Sequence, residues 1–178
     1  PPRAHNRDFD WSLPTSVAYK DEDTDIYTPI FRESRSKLDY SYHENPILER
    51  QQYQDLVLSR VLDIVNGNGE TAGDVETVST ATSSENTSQR PFLVYTAGPM
   101  GVGKSFVLSQ LHQRGQIFPL ETFVKIDPDM LKSELPEISG YLQHDSDTAA
   151  TKLHKESTQM SDVLFEYSLA ANRNILVD

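Results

Sequence analysis

One short stretch, Ala97 to Ser105, AGPMGVGKS, constrains this chain more than any other. It fits G-x-x-x-x-G-K-[ST] with Gly98, Gly103, Lys104 and Ser105 in the fixed places, the pattern of a Walker A phosphate-binding loop. Backbone N–H groups wrap a polyphosphate only where the chain turns tightly with no Cβ in the way, and Gly98, Gly101 and Gly103 supply that freedom. Lys104 brings a point charge for the β and γ phosphates, while Ser105 opens a helix and offers its hydroxyl to Mg²⁺. The flanks fit the pattern. PFLVYTA, residues 91–97, is a short apolar run rich in β-formers and reads as a buried strand; Phe106, Val107, Leu108 and Leu111 then follow helical spacing. A strand, a Gly-rich turn and a helix N-terminus in that order set an anion against the helix dipole. The expected nucleotide contacts are Gly98, Pro99, Met100, Gly101, Val102, Gly103, Lys104, Ser105 and Phe106.

Composition narrows the partners. At 178 residues and 37% hydrophobic, the chain holds one domain with a core plus an appendage. A formal net charge of -11 opposes a polyanionic partner, since nucleic-acid binders carry a basic face. The absence of cysteine excludes disulfides and thiolate zinc sites. No run approaches the roughly 18 apolar residues of a membrane span, and the expected location is cytoplasmic. The chain opens on Pro1-Pro2 without Met and ends on a strand-like run, so the expectation is an excerpt of a longer protein.

Residues 1–45 mix aromatic and acidic residues with no lasting period, and read as an extended arm lying on the domain through Trp11, Tyr19, Tyr27 and Phe31, with plain disorder as the alternative. Asn45-Pro46 is an N-cap followed by a first-turn proline. An amphipathic helix over 46–65 follows, with Ile47, Leu48, Leu56, Val57, Val61, Leu62 and Ile64 as its apolar positions. Residues 66–90, rich in Gly, Ser, Thr and acids, read as a flexible loop. From Pro91 strands and helices alternate. TFVKID, 122–127, is a second strand, ended by Asp127-Pro128-Asp129 and a short helix through Leu135. A loop over 136–147 leads to a long helix over 148–171, with Leu153, Met160, Val163, Leu164, Tyr167 and Ala171 on one face, and NILVD, 174–178, is a third strand. Such alternation predicts the α/β class: a P-loop NTPase-type parallel sheet with flanking helices, preceded by the arm and the amphipathic helix. Ligands in these sheets bind beyond the carboxyl ends of the strands, where Gly98, Asp127, Asp129 and Asp178 fall.

Phosphoryl transfer to a hydroxyl needs a carboxylate that takes the acceptor's proton, and a second acid at a neighbouring strand tip that binds Mg²⁺ through water or holds the acceptor. Asp129 suits the first role and Asp178 the second, while Asp127, just before Pro128 and a helix, reads equally as a cap. His144, His154 and Lys155 read as a solvated face.

Taken together, AGPMGVGKS, IDPDMLK at 126–132 and HKESTQMSDVLFEYSLAANRNILVD at 154–178 resemble the zeta-toxin family of P-loop kinases, its eukaryotic members included, over about residues 91–178. The resemblance implies a phosphotransferase using ATP or GTP with Mg²⁺, acting on a small-molecule hydroxyl acceptor such as a nucleotide sugar; the bacterial toxins phosphorylate UDP-N-acetylglucosamine. It implies Asp129 as catalytic base alongside Lys104, Asp162 as an acid holding the acceptor, and Asp178 at the strand tip. The bacterial toxins carry Glu at the last two places. Ser157, one turn before Asp162, is a further candidate for the acceptor, and Ser105 with Asp178 for the metal. The chain stops before the family's lid arginines, so when expressed alone it is expected either to be poorly soluble or to bind nucleotide weakly without turnover. Two other readings remain open at this level. One is a polynucleotide 5′-hydroxyl kinase, which the acidic balance opposes. The other is a nucleotide-gated binding or scaffold module whose residues 1–65 meet a partner.

Overall fold

The computed structural model describes residues 9–21, 26–65, 90–99 and 101–178. Met100, the acids Glu22, Asp23 and Asp25, and the Gly/Ser/Thr-rich stretch from Asn66 to Gln89 lie outside the described residues. Along the described chain run α1 (Thr15–Ala18), α2 (Arg32–Ser36), α3 (Leu48–Val65), β1 (Leu93–Tyr95) and α4 (Lys104–Gln113). A 3₁₀ turn, Leu120–Thr122, then enters β2 (Phe123–Ile126), followed by α5 (Pro128–Ser133), α6 (Ile138–His144), α7 (Ser146–Ala170) and β3 (Asn174–Val177).

The three strands form one parallel sheet in the order β1-β3-β2, the α/β arrangement that the alternation predicts. Ile175 of β3 faces Leu93 on one side and Val124 on the other, so the last strand in sequence is the middle one in space. Ile175 and Leu176 of the middle strand are buried, and so are Phe123, Val124 and Ile126 of β2, which lies at an edge of the described sheet but is covered by the core. β1 corrects the expectation of a buried strand over 91–97. It is three residues long and pairs only with β3 among the described strands, and Leu93 and Tyr95 stay exposed because nothing described covers them.

The core gathers on α7. Asp145 caps it, accepting from the Asp147 N–H at 3.1 Å and the Thr148 hydroxyl at 2.6 Å. Leu153, Met160, Val163 and Leu164 recur at helical spacing and bury against Val124, Ile126, Leu131, Leu135 and Ile175. The segment 136–147, expected to be a loop, contains α6. Its apolar signal is short, and Gly140 weakens its helix propensity, but a Cβ at Gly140 would lie 1.9 Å from the Trp11 ring. Trp11 packs there edge-on to Tyr141 and stacks on His144 at 5.1 Å, while His144 itself stays exposed, as a solvated face requires.

The N-terminal segment is folded onto this core instead of merely extended: it makes the turns α1 and α2, and Tyr19 and Phe31 are buried. Tyr27, expected on the domain, stacks on Tyr40 at 5.8 Å. The helix expected over 46–65 starts later. Pro46 bridges to Lys20, and the Ile47 carbonyl accepts the first helical bonds from Arg50 and Gln51. Its buried face also differs. Leu48 and Leu56 are exposed, whereas Arg50, Gln51, Gln54 and Asp55 are buried beside Val57, Leu58 and Leu62.

The reason is that α3 packs on carboxylates. Arg50 donates to Glu137 with both terminal nitrogens at 2.9 Å, and reaches Glu156 of α7 from Nε at 2.6 Å and Nη2 at 2.9 Å. The Tyr19 hydroxyl donates to Glu137 at 2.6 Å, Gln54 donates to Glu156 at 2.8 Å, and the guanidinium lies 4.2 Å over the Tyr19 ring. Burial alone would raise the Glu156 carboxyl, but the Arg50 charge and hydrogen bonds, with the donors Thr15 and Gln54, outweigh it and hold it below the usual glutamate range. Beside this lies Arg35 of α2, fully buried, donating to Asp55 at 2.6 Å and Gln54 at 3.0 Å.

Removing one partner of a buried ion pair leaves its carboxylates uncompensated, so Arg50→Met should lose about 3–5 kcal/mol at pH 7. A carboxyl with a depressed folded pKa contributes stability above its unfolded value and loses it as pH falls; in Arg50→Met burial, the largest influence on Glu156, is opposed only by the Thr15 and Gln54 donors, so the pKa rises and the sign inverts. Urea unfolding at pH 7 and pH 5 should show the gap to wild type narrowing at the lower pH. Gly140→Ala should displace Trp11, the single tryptophan, and red-shift its fluorescence.

Candidate functional site

The glycine-rich loop begins where β1 ends. Gly98, Gly101 and Gly103 adopt φ of +152°, +76° and +86°, values that L side chains rarely take. A Cβ at Gly98 would also press on Val102 Cγ1 at 3.3 Å. Gly103 is the residue before α4, and its carbonyl accepts from Val107 at 3.0 Å, so Lys104 and Ser105 occupy the first turn with their N–H groups unused by the helix ladder.

Asp178 meets the loop from the neighbouring strand. The Asp178 N–H bonds the Ile126 carbonyl at 3.0 Å and the Thr96 N–H bonds the Val177 carbonyl at 2.9 Å, so the ladder carries one step past β1 and β2 and sets Thr96 beside Asp178. The Thr96 hydroxyl donates to Oδ1 of Asp178, the Ser105 hydroxyl donates to Oδ2 at 3.2 Å, and Lys104 Nζ lies 3.6 Å from Oδ1 and 3.4 Å from the Gly98 carbonyl. The Thr96 hydrogen bond is the chief cause that lowers the Asp178 pKa; burial opposes it, and Ser105, Lys104 and Lys125 add to the lowering. Thr96, Ser105, Leu108, Leu120, Lys125 and Asp178 line a cavity of about 160 Å³ at this point. Thr96 and Lys125 were missed in the sequence. Their signal is positional: one follows a strand and the other lies near a strand end, both at the edge where parallel sheets bind ligands.

The remaining candidates separate. Asp127 is a cap: its Oδ1 accepts from the N–H of Asp129 at 2.9 Å and of Met130 at 3.2 Å. Asp129 stands in the first turn of α5 with its side chain 77% exposed and Lys132 Nζ at 2.8 Å. Asp162 lies mid-way along α7, 48% exposed, with Oδ2 at 2.9 Å from His43 Nε2. Ser157 is fully buried and its hydroxyl bonds the His154 carbonyl at 2.9 Å, a placement that turns it away from a solvent-borne acceptor. Lys155 is not simply solvated either, since it pairs with Glu44 at 3.3 Å. Pro99 and Val102 within the loop are exposed, as is Phe106 just after it. Among the described residues no helix is long and apolar enough to cross a membrane.

A parallel sheet whose middle strand ends in an acid, facing a glycine-rich turn and a helix that opens Lys-Ser, defines a P-loop NTPase-like α/β protein. The family model described as Zeta toxin matches residues 76–178, more than half of the chain, and the chain belongs to that family. Among solved structures it resembles one reported as the PezAT chromosomal toxin-antitoxin system of the human pathogen Streptococcus pneumoniae, with 16% identity and a TM-score of 0.50. That likeness covers 71% of this chain and 43% of the other, so the chain spans less than half the length of its neighbour, and the likeness speaks to the fold. No curated protein matches the sequence.

A carboxylate whose folded pKa is depressed stabilises the fold above the usual aspartate range and loses that contribution as pH falls through its lowered value. Asp178→Asn should therefore show a shallower loss of stability between pH 6 and pH 3 than wild type, read by chemical unfolding at each pH.

Proposed function

We propose that this protein is a phosphotransferase of zeta-toxin type, moving the γ-phosphoryl group of ATP or GTP to a hydroxyl of a small molecule such as a nucleotide sugar. The observation that carries the reading is the contact of Asp178 with Thr96, Ser105 and Lys104 at the mouth of the glycine loop. The cradle fits a polyphosphate chain: glycines at three positive-φ positions put no Cβ at those turns, and the loop runs into the first turn of α4.

In this reading residues 98–106 wrap the phosphates, with Lys104 neutralising their charge. Ser105 and Asp178 are the oxygen ligands offered to Mg²⁺, which when bound spreads the charge of the β and γ phosphates. The donor set is hard oxygen throughout, which suits that ion, and the lowered pKa of Asp178 keeps it anionic at neutral pH. Asp129 is the general base: its carboxylate accepts the acceptor's hydroxyl proton as the oxygen attacks phosphorus. Lys132 holds one of its oxygens meanwhile. Asp162 binds the acceptor through a second hydroxyl, which aligns the reacting one.

Two variants of the full-length protein test this. Lys104→Ala should abolish nucleotide binding in calorimetry with Mg²⁺ATP and Mg²⁺GTP while leaving the melting temperature within about 2 °C, because its pairing with Asp178, at 3.6 Å on a partly solvated side chain, contributes little to folding. Asp129→Asn should keep nucleotide affinity within a few-fold and lower transfer to UDP-N-acetylglucosamine by roughly 10² or more, the scale of losing a general base. Unchanged affinity in the first or unchanged turnover in the second overturns the corresponding assignment.

A further inference from the structure

Asp162 has a partner from outside the matched region of the family. His43 Nε2 lies 2.9 Å from Asp162 Oδ2, and His43 is 5% exposed whereas Asp162 is half open to solvent. In the tautomer that pairs with a carboxylate, Nε2 carries the proton and Nδ1 is left as an acceptor. Nδ1 is buried with no hydrogen-bond partner among the described residues, so the ring directs its hydrogen bonding at Asp162.

The backbone that delivers His43 is fixed on both sides. Upstream, the Asp39 carbonyl accepts the His43 N–H at 2.9 Å, and the Asp39 carboxylate accepts the Ser41 N–H at 2.9 Å and hydroxyl at 2.6 Å. Downstream, Glu44 pairs with Lys20 at 2.8 Å and with Lys155 at 3.3 Å, and its carbonyl accepts from Gln159 at 2.7 Å. Lys155, Gln159 and Asp162 succeed one another at intervals of four and three residues, one stripe of α7, so the segment lies along the helix with His43 over its acid. A half-exposed aspartate on a helix is otherwise free to change rotamer.

We propose that His43 is a positioning residue for acceptor binding: it holds Oδ2 of Asp162 and so presents the carboxylate's other oxygen to a hydroxyl of a sugar-like acceptor. This rests on the role given to Asp162 above. No bond is made or broken by His43, and its action is confined to orienting the acid.

The test uses the full-length protein with UDP-N-acetylglucosamine as acceptor probe. The variants are His43→Phe, which keeps a ring and removes the donor, His43→Gln, which restores an N–H donor, Asp162→Asn, and the double variant His43→Phe with Asp162→Asn. His43→Phe should raise the acceptor KM roughly tenfold, the scale of one hydrogen bond to a carboxylate, with nucleotide affinity and kcat within a few-fold. His43→Gln should recover most of the loss, and the double variant should be no worse than Asp162→Asn, because both changes act through one carboxylate. An unchanged KM in His43→Phe, strictly additive losses in the double variant, or a lowered KM, which would make His43 an obstruction, each overturns the proposal. Should His43→Phe fail to fold, Asp162→Asn decides: it sits on the solvent side of α7, and an unchanged acceptor KM there overturns the proposal as well. A wild-type protein that binds Mg²⁺ATP but transfers phosphate to no hydroxyl acceptor defeats the kinase reading itself, and the role of His43 falls with it. That outcome is recognised without any variant.

Discussion

The guanidinium of Arg50 is the point on which the rest of the chain depends. It sits between two carboxylates with almost no access to water, and every element that meets it has its position set by that fact. Glu137 precedes α6, Glu156 is in the middle of α7, Arg50 itself is on α3, and Tyr19 follows α1, so one charged cluster ties four separate stretches together. Such a cluster contributes less net stability than its close distances imply, because desolvating three charges costs nearly what their attraction returns. Its effect is geometric. A displaced α3 would strand two buried carboxylates, which makes the wrong docking costly even where the right one gains little.

That cluster also explains which parts of the fold were legible in the sequence. The alternation of strand and helix from Pro91, the glycine-rich turn and the apolar stripe of α7 follow from periodicities that hydrophobic burial imposes, and the parallel sheet is the architecture those periodicities require. α3 was legible as a helix but not by its face. Arg50, Gln51, Gln54 and Asp55 have the composition of a solvated surface, and only their partners, twenty residues away for Arg35 with Asp55 and over eighty for Arg50 with Glu137, turn them inward. α6 was hidden for a related reason: Gly140 reads as a helix breaker until Trp11 is known to lie against it. Pairwise long-range contacts leave no periodic trace in one sequence.

The candidate site divides the same way. Gly98, Gly101, Gly103, Lys104 and Ser105 sit in a contiguous motif whose backbone demands can be read locally, whereas Thr96 gains significance only because β3 enters the sheet between β1 and β2 and carries Asp178 alongside it. A carboxylate at that tip is held low in pKa by the hydroxyl of Thr96 after β1, by the Ser105 hydroxyl and Lys104 on α4, and by Lys125 on β2, an arrangement that no spacing rule encodes. Ser157 shows the converse. Its sequence position one turn from Asp162 looked favourable, but α7 rotates it into the core, where its hydroxyl is spent on its own helix.

Helix α7 then relates the two halves of the chain to each other. Its apolar stripe, Leu153, Met160 and Leu164, closes on the sheet and on α5 and α6, while Lys152, Lys155, Gln159, Asp162 and Glu166 make polar contacts with residues between Trp11 and Glu44. A helix engaged on both sides cannot shift toward either without loss on the other. The residues before α3 are therefore structural parts of the candidate acceptor side of the domain: Arg50 of α3 fixes the rotation of α7 through Glu156, and His43 of the segment before α3 meets Asp162 on the same helix.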